Sequence, residues 1–338
     1  MIRRLLGSRL VGGLLVLVLA SAITLSLMIW RWLDQRLTLA KPVVELSLES
    51  GQSPRAVAQA WVDAGVRTSP RWLYEWFRWS GQARGIRAGS YEVETGVTPR
   101  GLLEAMVQGR EALEQVRLPE GMTLRQWRIE LANAPQLRQT IDVLDDRALM
   151  AALGAPGVAA EGRFFPDTYA YSRGVSDLTI LRRAYQAMQR HLDEVWADRD
   201  PQTPLKSPQE ALILASIVEK ETGRADERGL VAGVFVNRLR IGMPLQTDPT
   251  IIYGLGEAFD GNLRKRDLQT DGPYNTYLRP GLPPTPITMP GLASLRAAVQ
   301  PTPTKALYFV ARGDGSSQFS ENLADHNRAV NRFQRGQK

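Results

Sequence analysis

The sequence predicts an α+β protein that starts with a transmembrane helix. Three observations predict it. Residues 10–30 carry no charged side chain. Short strand-like runs alternate with capped amphipathic helices from residue 42 onward. A later run, Ala211 to Val218, is apolar on nearly every side and reads as a buried helix. The part beyond residue 36, about 300 residues, is long enough for about two domains with real cores.

The elements follow in order. Residues 10–30, LVGGLLVLVLASAITLSLMIW, are long enough to span a bilayer. Arg3, Arg4 and Arg9 precede the run, and Trp30 and Trp32 mark its far interface. Arg31 and Arg36 follow, partly offset by Asp34, so the positive-inside bias places residues 1–9 in the cytoplasm. The rest then lies outside the cytoplasm, held by a single pass. Ala20-Ser21-Ala22 resembles a signal-peptide cleavage site. Eight more uncharged residues follow it, too long a run for a simple signal, so the reading is an uncleaved anchor.

Residues 42–48, PVVELSL, alternate as a strand. A signature then recurs three times. Gly51-Gln-Ser53-Pro-Arg55, Gly96-Val-Thr98-Pro-Arg100 and Gly121-Met-Thr123-Leu-Arg125 each open an amphipathic helix. Ser or Thr is the N-cap in each, and proline takes the first helical position in two. SYEVET and LEQVRLPE are strands before the second and third. The signature is either an internal repeat or ordinary capping chemistry recurring. The first unit, residues 41–115, resembles a LysM-type module, which implies binding of N-acetylglucosamine-containing glycans. In PRWLYEWFRWS, Trp72, Tyr74, Trp76, Phe77 and Trp79 either stack on sugars or pack as a helix face on the small sheet.

The second region, 116–338 with a core at 150–338, contains a turn-rich aromatic segment, EGRFFPDTYAYSRG, and a helix at 176–197. A proline-rich linker, 199–208, leads into the apolar helix capped by Ser207-Pro208. Another helix runs to Arg240, and residues 242–291 read as one long irregular stretch, a common setting for function. ALYFVARG is a buried strand, and a polar helix ends the chain.

Composition excludes several classes. There is no cysteine, and the two histidines, His191 and His326, lie outside any H-E-x-x-H pattern, so neither disulfides nor a metal site is expected. The net charge of +7 is mostly local, because residues 1–36 alone contribute +4. No basic run with interleaved aromatics appears beyond them, which argues against nucleic acid. No cofactor motif is present.

The apolar helix ends in Glu219, followed by Lys220 and Glu221. A carboxyl on such a helix is exposed to desolvation, which raises its pKa and suits it to protonate a glycosidic oxygen. At 3.6 residues per turn, Glu219 and Glu221 point about 200° apart and cannot act together. Ala215 and Ser216 share the Glu219 face and leave room for a ligand, while Glu221 is placed to pair with Arg224. The rival reading is a solvated glutamate at a fraying helix end. Ser216 and Lys220 are four apart, where a serine–lysine nucleophile of the S-x-x-K kind needs three.

The blocks ASIVEKET, VFVNRLRIGMPLQTDPTIIYGLG and YNTYLRPGLPPTPI resemble the endolytic murein transglycosylase (YceG-like) family. The resemblance covers nearly the whole chain. It implies a bitopic inner-membrane lyase that cuts nascent peptidoglycan strands internally and leaves 1,6-anhydro-N-acetylmuramic acid ends. It implies peptidoglycan synthases as partners and puts the family's catalytic acid at Glu219. Thr285 departs from the family's usual glycine, and the Phe319–His326 segment varies. In the irregular stretch, Gln246, Thr247, Asp248, Tyr253, Asn275 and Tyr277 have the amides, hydroxyls and rings that bind sugars. Asp248 is equally a turn acid before Pro249, and the tyrosines are equally packing residues. The alternative function is a non-catalytic, membrane-tethered protein of peptidoglycan binding or the divisome.

Overall fold

A computed structural model describes residues 2–49, 51–110 and 112–336, without the side chains of residues 2–16 and Val18. The chain forms two compact units, residues 1–114 and 115–338.

In the first unit, α1 runs unbroken from Ile2–Leu33 through the uncharged stretch. Its described apolar side chains, from Leu17 to Trp30, are exposed. Among the described residues no helix is long and apolar enough to cross a membrane; the side chains of 10–16 and 18, part of the expected span, lie outside them. Then come β1 (Thr38–Leu39), β2 (Val43–Leu48), α2 (Pro54–Ala64), β3 (Val66–Arg67), α3 (Pro70–Trp79), β4 (Gly89–Glu94) and α4 (Pro99–Gln108). Strands β2 and β4 pair antiparallel, with Val43 opposite Glu94 and Leu48 opposite Gly89. Alternation turns Val44 and Leu48 inward with Tyr91 and Val93. They meet Trp61 of α2, Phe77 of α3 and Met106 of α4 in one core.

Both helices that carry the repeated signature here begin in the same way. Gly51 and Gly96 hold φ of +84° and +111°, where a side chain would be strained. Ser53 and Thr98 then accept the N–H groups of Ala56 and Gly101. The aromatic segment splits. Leu73 and Phe77 are fully buried, whereas Trp72 and Trp79 are 55% and 78% exposed.

The second unit begins inside β5 (Glu114–Leu118) and goes on with α5 (Leu124–Asn133), α6 (Asp146–Ala152), β6 (Asp167–Tyr171) and α7 (Asp177–Ala197). Next are α8 (Pro208–Glu221), α9 (Arg228–Arg240), α10 (Asp248–Leu255), α11 (Lys265–Gln269) and α12 (Leu292–Val299). Strands β7 (Tyr308–Ala311) and β8 (Ser317–Ser320) and helix α13 (Leu323–Val330) finish it. Strand β5 pairs with β6. Around them α5, α6 and part of α7 close a core that holds Trp127 and Phe164. A second core centres on α8, whose residues Ala211 to Val218 are all buried against α7, α9 and α12.

Two expectations change here. The stretch 242–291 is not wholly irregular: Thr247 and Pro249 start α10, proline serving where no N–H partner is needed. Ser216 leaves no space for a ligand either. It is fully buried; its Oγ accepts the Ile287 N–H at 3.0 Å, and its carbonyl accepts the Thr288 hydroxyl. The extended segment 286–291 is thereby fixed along α8. Ser216→Ala would strand the buried Ile287 N–H, a loss of about 2 kcal/mol, measurable as a lower urea midpoint with an unchanged slope.

Candidate functional site

Helix α8 stays buried through Val218, and Glu219 emerges half-buried in its last turn. Its Oε2 accepts the Gly291 N–H at 2.9 Å. Among the described residues no hydrogen bond engages its Oε1. Gly291 is the N-cap of α12, so this N–H is one that helix geometry leaves unpaired.

A second carboxyl reaches the same glycine. A Cβ built on Gly291 would lie 1.9 Å from Oε2 of Glu120. Glu120 follows β5, and the turn after it is tied to the same segment. Gly121 N–H donates to the Met289 carbonyl, Met289 N–H to the Met122 carbonyl, and Lys220 Nζ to the Gly121 carbonyl. Glu120 is exposed as a residue, yet its carboxyl is held above the usual range. The partial burial of the group is the main cause; negative Glu219 adds to it and Arg228 opposes it.

A cleft of about 880 Å³ adjoins this pair. Its walls are the first turn of α5, Lys220, Tyr253 of α10, Glu161 and residues 287–288. Glu219 itself sits at the rim, its Cγ 3.9 Å from a Cβ built on the lining residue Gly121. Glu161 lies at the α5 N-terminus, where both its oxygens accept the Leu124 N–H, at 3.1 and 3.3 Å. The Tyr253 hydroxyl donates to it at 3.4 Å. Burial pushes the Glu161 carboxyl up to about 7, against the opposing pull of the Leu124 and Gly162 N–H groups. Its position is set by Gly162, whose φ of +78° and contact with Pro286 exclude any side chain.

Burial and the neighbouring Glu161 also raise the Tyr253 phenol. The Tyr253 ring packs edge-on against Tyr274 at 4.9 Å. Thr285 bonds the Tyr274 hydroxyl at 2.7 Å and so props the wall behind Tyr253.

The other sequence-predicted groove residues gather elsewhere, around Glu221. Its carboxyl accepts the Thr247 hydroxyl and is raised by burial. The expected Glu221–Arg224 ion pair is absent among the described contacts: Arg224 pairs with Asp226 at 2.7 Å and Glu227 at 3.6 Å. Thr247 is buried, and its N–H donates to Thr276 Oγ1. Asn275 is buried too. Its amide donates to the Leu268 and Thr270 carbonyls, and its oxygen accepts the Tyr277 and Leu278 N–H groups. Both residues therefore spend their polar groups inside the scaffold. Gln246 is exposed with φ of +50°. Exposed Asp248 accepts the Tyr277 hydroxyl at 2.5 Å. Asp248 and Tyr253 share α10 but point about 140° apart, so Tyr253 alone of the six joins the Glu161 cleft.

Glu120 and Glu161 escaped the sequence reading. Each stands directly before a left-handed glycine, Gly121 or Gly162, and that Glu-Gly pairing is the local signal available.

Residues 46–332 match the YceG-like family. The chain is 30% identical over 311 residues to an endolytic murein transglycosylase of Bacillus subtilis (strain 168), covering 87% of this chain and 86% of that protein. It is 28% identical over 278 residues to an endolytic murein transglycosylase of Streptococcus pneumoniae (serotype 2, strain D39), covering 72% of this chain and 50% of that one. The crystal structure of a putative yceG-like protein from Listeria monocytogenes superposes with a TM-score of 0.54 at 28% identity, over 86% of this chain and 99% of that chain. A match that spans both the capped helices of the first unit and the Glu219 helix of the second places this chain in the YceG-like family.

Proposed function

We propose that this protein is a membrane-anchored endolytic lytic transglycosylase. It cleaves the bond between N-acetylmuramic acid and N-acetylglucosamine inside peptidoglycan strands, nascent ones above all, and leaves 1,6-anhydro ends. The observation that carries the reading is the placement of Glu219: half-buried at a cleft rim, one oxygen fixed by Gly291, the other available. The named activity of the two relatives supports the substrate class.

In this mechanism the Glu219 carboxyl gives its proton to the glycosidic oxygen as the C1–O bond breaks. The substrate's own C6 hydroxyl then closes on C1, and its proton returns to the Glu219 carboxylate. One residue serves as acid and then base, and no water is consumed. A hydrolase would need a second carboxyl to activate water or to attack C1. Glu120 is that second carboxyl by position, but it is packed over Gly291, where it shapes the charge around Glu219. The cleft with Glu161 and Tyr253 is wide enough for sugar rings and offers one aromatic face.

Residues 10–30 are the anchor in this reading, with residues 1–9 cytoplasmic and the rest outside the cytoplasm. One unbroken helix through an uncharged stretch supports it. Residues 41–115 serve as the LysM-like glycan-binding module, and peptidoglycan synthases are the expected partners. The test is mass analysis of the sugar ends that the full chain releases from purified peptidoglycan. Anhydro ends are expected. Reducing ends would make the protein a hydrolase, and no product at all would favour a tethered binding protein.

A further inference from the structure

Four of the chain's eight tryptophans, Trp30, Trp32, Trp72 and Trp76, gather in one place in the first unit, and Trp79 ends the helix that carries Trp72 and Trp76. Trp32 and Trp72 meet edge-on at 5.5 Å. The Arg100 guanidinium lies over both Trp30 and Trp76, at 5.4 and 5.7 Å, and pairs with Asp34 at 3.0 Å. The end of α1 is thus docked on α3 and α4. Core packing accounts for only part of this cluster, since Trp30, Trp72 and Trp79 are 64%, 55% and 78% exposed.

The contacts have a direction. Moving along α3 from Trp72 to Trp76 goes with moving back along α1 from Trp32 to Trp30. Trp72, Trp76 and Trp79 share one stripe of α3, so Trp79 continues the same way, toward the exposed apolar length of α1. Exposed Arg71 and Arg78 flank the stripe, and exposed Arg31 lies at the end of α1. The one acid of α3, Glu75, is engaged by Trp79 Nε1 at 3.2 Å and by Arg78 at 3.6 Å.

We propose that this face of the first unit lies on an anionic bilayer surface, with Trp72 and Trp79 in the interface and Arg71 and Arg78 at the lipid phosphates. The proposal rests on the anchor reading above. Tryptophan favours the membrane–water boundary because its ring is apolar and its N–H polar, and arginine stems cover apolar surface while the charge reaches phosphate. A sugar platform would use the same rings. It would not call for continuity with an exposed apolar helix, nor for a flank whose net charge is cationic.

The absence of cysteine makes the test direct. Single variants Ile23→Cys, Arg78→Cys, Trp79→Cys and Val143→Cys of the full chain are spin-labelled and placed in phosphatidylglycerol nanodiscs. Access to oxygen and to a water-soluble nickel chelate is then measured. Val143, 82% exposed in the second unit, is the aqueous reference, and Ile23 reports the anchor. The labels at 78 and 79 should show several-fold less nickel access than the label at 143, with the label at 23 in lipid. Position 78 keeps both exposed tryptophans of α3, so a loss of fold at 79 does not decide the outcome. Labels at 78 and 79 as wet as 143, with 23 in lipid, would overturn this proposal and leave the anchor standing. A wet label at 23 would remove both. Protection at 78 and 79 that appears only when soluble glycan strands are added would make the face a sugar platform instead.

Discussion

Glu219→Gln is expected to lower the release of anhydro-muropeptides by about 10³-fold while glycan binding persists. General acid–base catalysis contributes about 10² to 10⁴ in rate, and here one carboxyl serves both steps. A 10³-fold loss corresponds to about 4 kcal/mol of barrier. Glutamine keeps the acceptor for the Gly291 N–H, so the loop at 286–291 should hold its place. The loss would then report on the proton and not on the fold. Glu120→Gln is the informative comparison. It removes the neighbouring charge and leaves the Glu219–Gly291 bond intact, so a loss of about tenfold is expected, well below what a general acid contributes. Rates of product release from purified peptidoglycan, with pull-down on the same sacculi, measure both variants. A dead Glu120→Gln beside an active Glu219→Gln would reverse the assignment of the acid.

What could be read in the sequence was local. The caps at Ser53, Thr98, Thr123 and Ser207 depend on three or four neighbouring residues, and each side chain accepts the N–H three residues on. The opposed directions of Glu219 and Glu221 follow from helix period alone, and in the fold the first meets Gly291 while the second meets Thr247. The misses are non-local. Glu120 and Glu219 are 99 residues apart and meet only because the 286–291 segment bonds to both α8 and the turn after β5. Small residues at 215 and 216 read as open space, whereas small residues equally permit another segment to approach closely, which is how Ser216 is used. Thr247 and Asn275 have sugar-binding chemistry, and no sequence pattern says that such groups are already spent on backbone partners. Helix α10 was hidden by its length of 8 residues and by flanking Gly, Pro and Asn.

Glu161 should make the stability of the second unit fall as pH rises through neutrality. Its carboxyl sits at about 7 in the fold, against about 4.3 in an unfolded chain. Between those values the folded state holds a proton that the unfolded state has lost. The stabilisation is complete below about pH 4 and is lost as pH climbs through 7. A gap of roughly 2.7 units corresponds to about 4 kcal/mol over the whole range. The cause is burial, which penalises the charged form more than the Leu124 and Gly162 N–H groups favour it. Glu161→Gln stays neutral at every pH and still accepts from Leu124. Relative to the parent it should therefore gain up to about 3 kcal/mol between pH 5 and pH 8, read as the difference between urea unfolding curves of the two full chains. Taking the difference cancels every other titrating group, so parallel curves across that range would show that Glu161 ionises in the fold as freely as in water. The same proton bears on the cleft. Protonated, Glu161 is a hydrogen-bond donor for a sugar hydroxyl or acetamide; ionised, it is an acceptor beside the raised Tyr253 phenol. Glycan affinity should thus change around pH 7, where the folded carboxyl loses its proton, and in Glu161→Gln it should not.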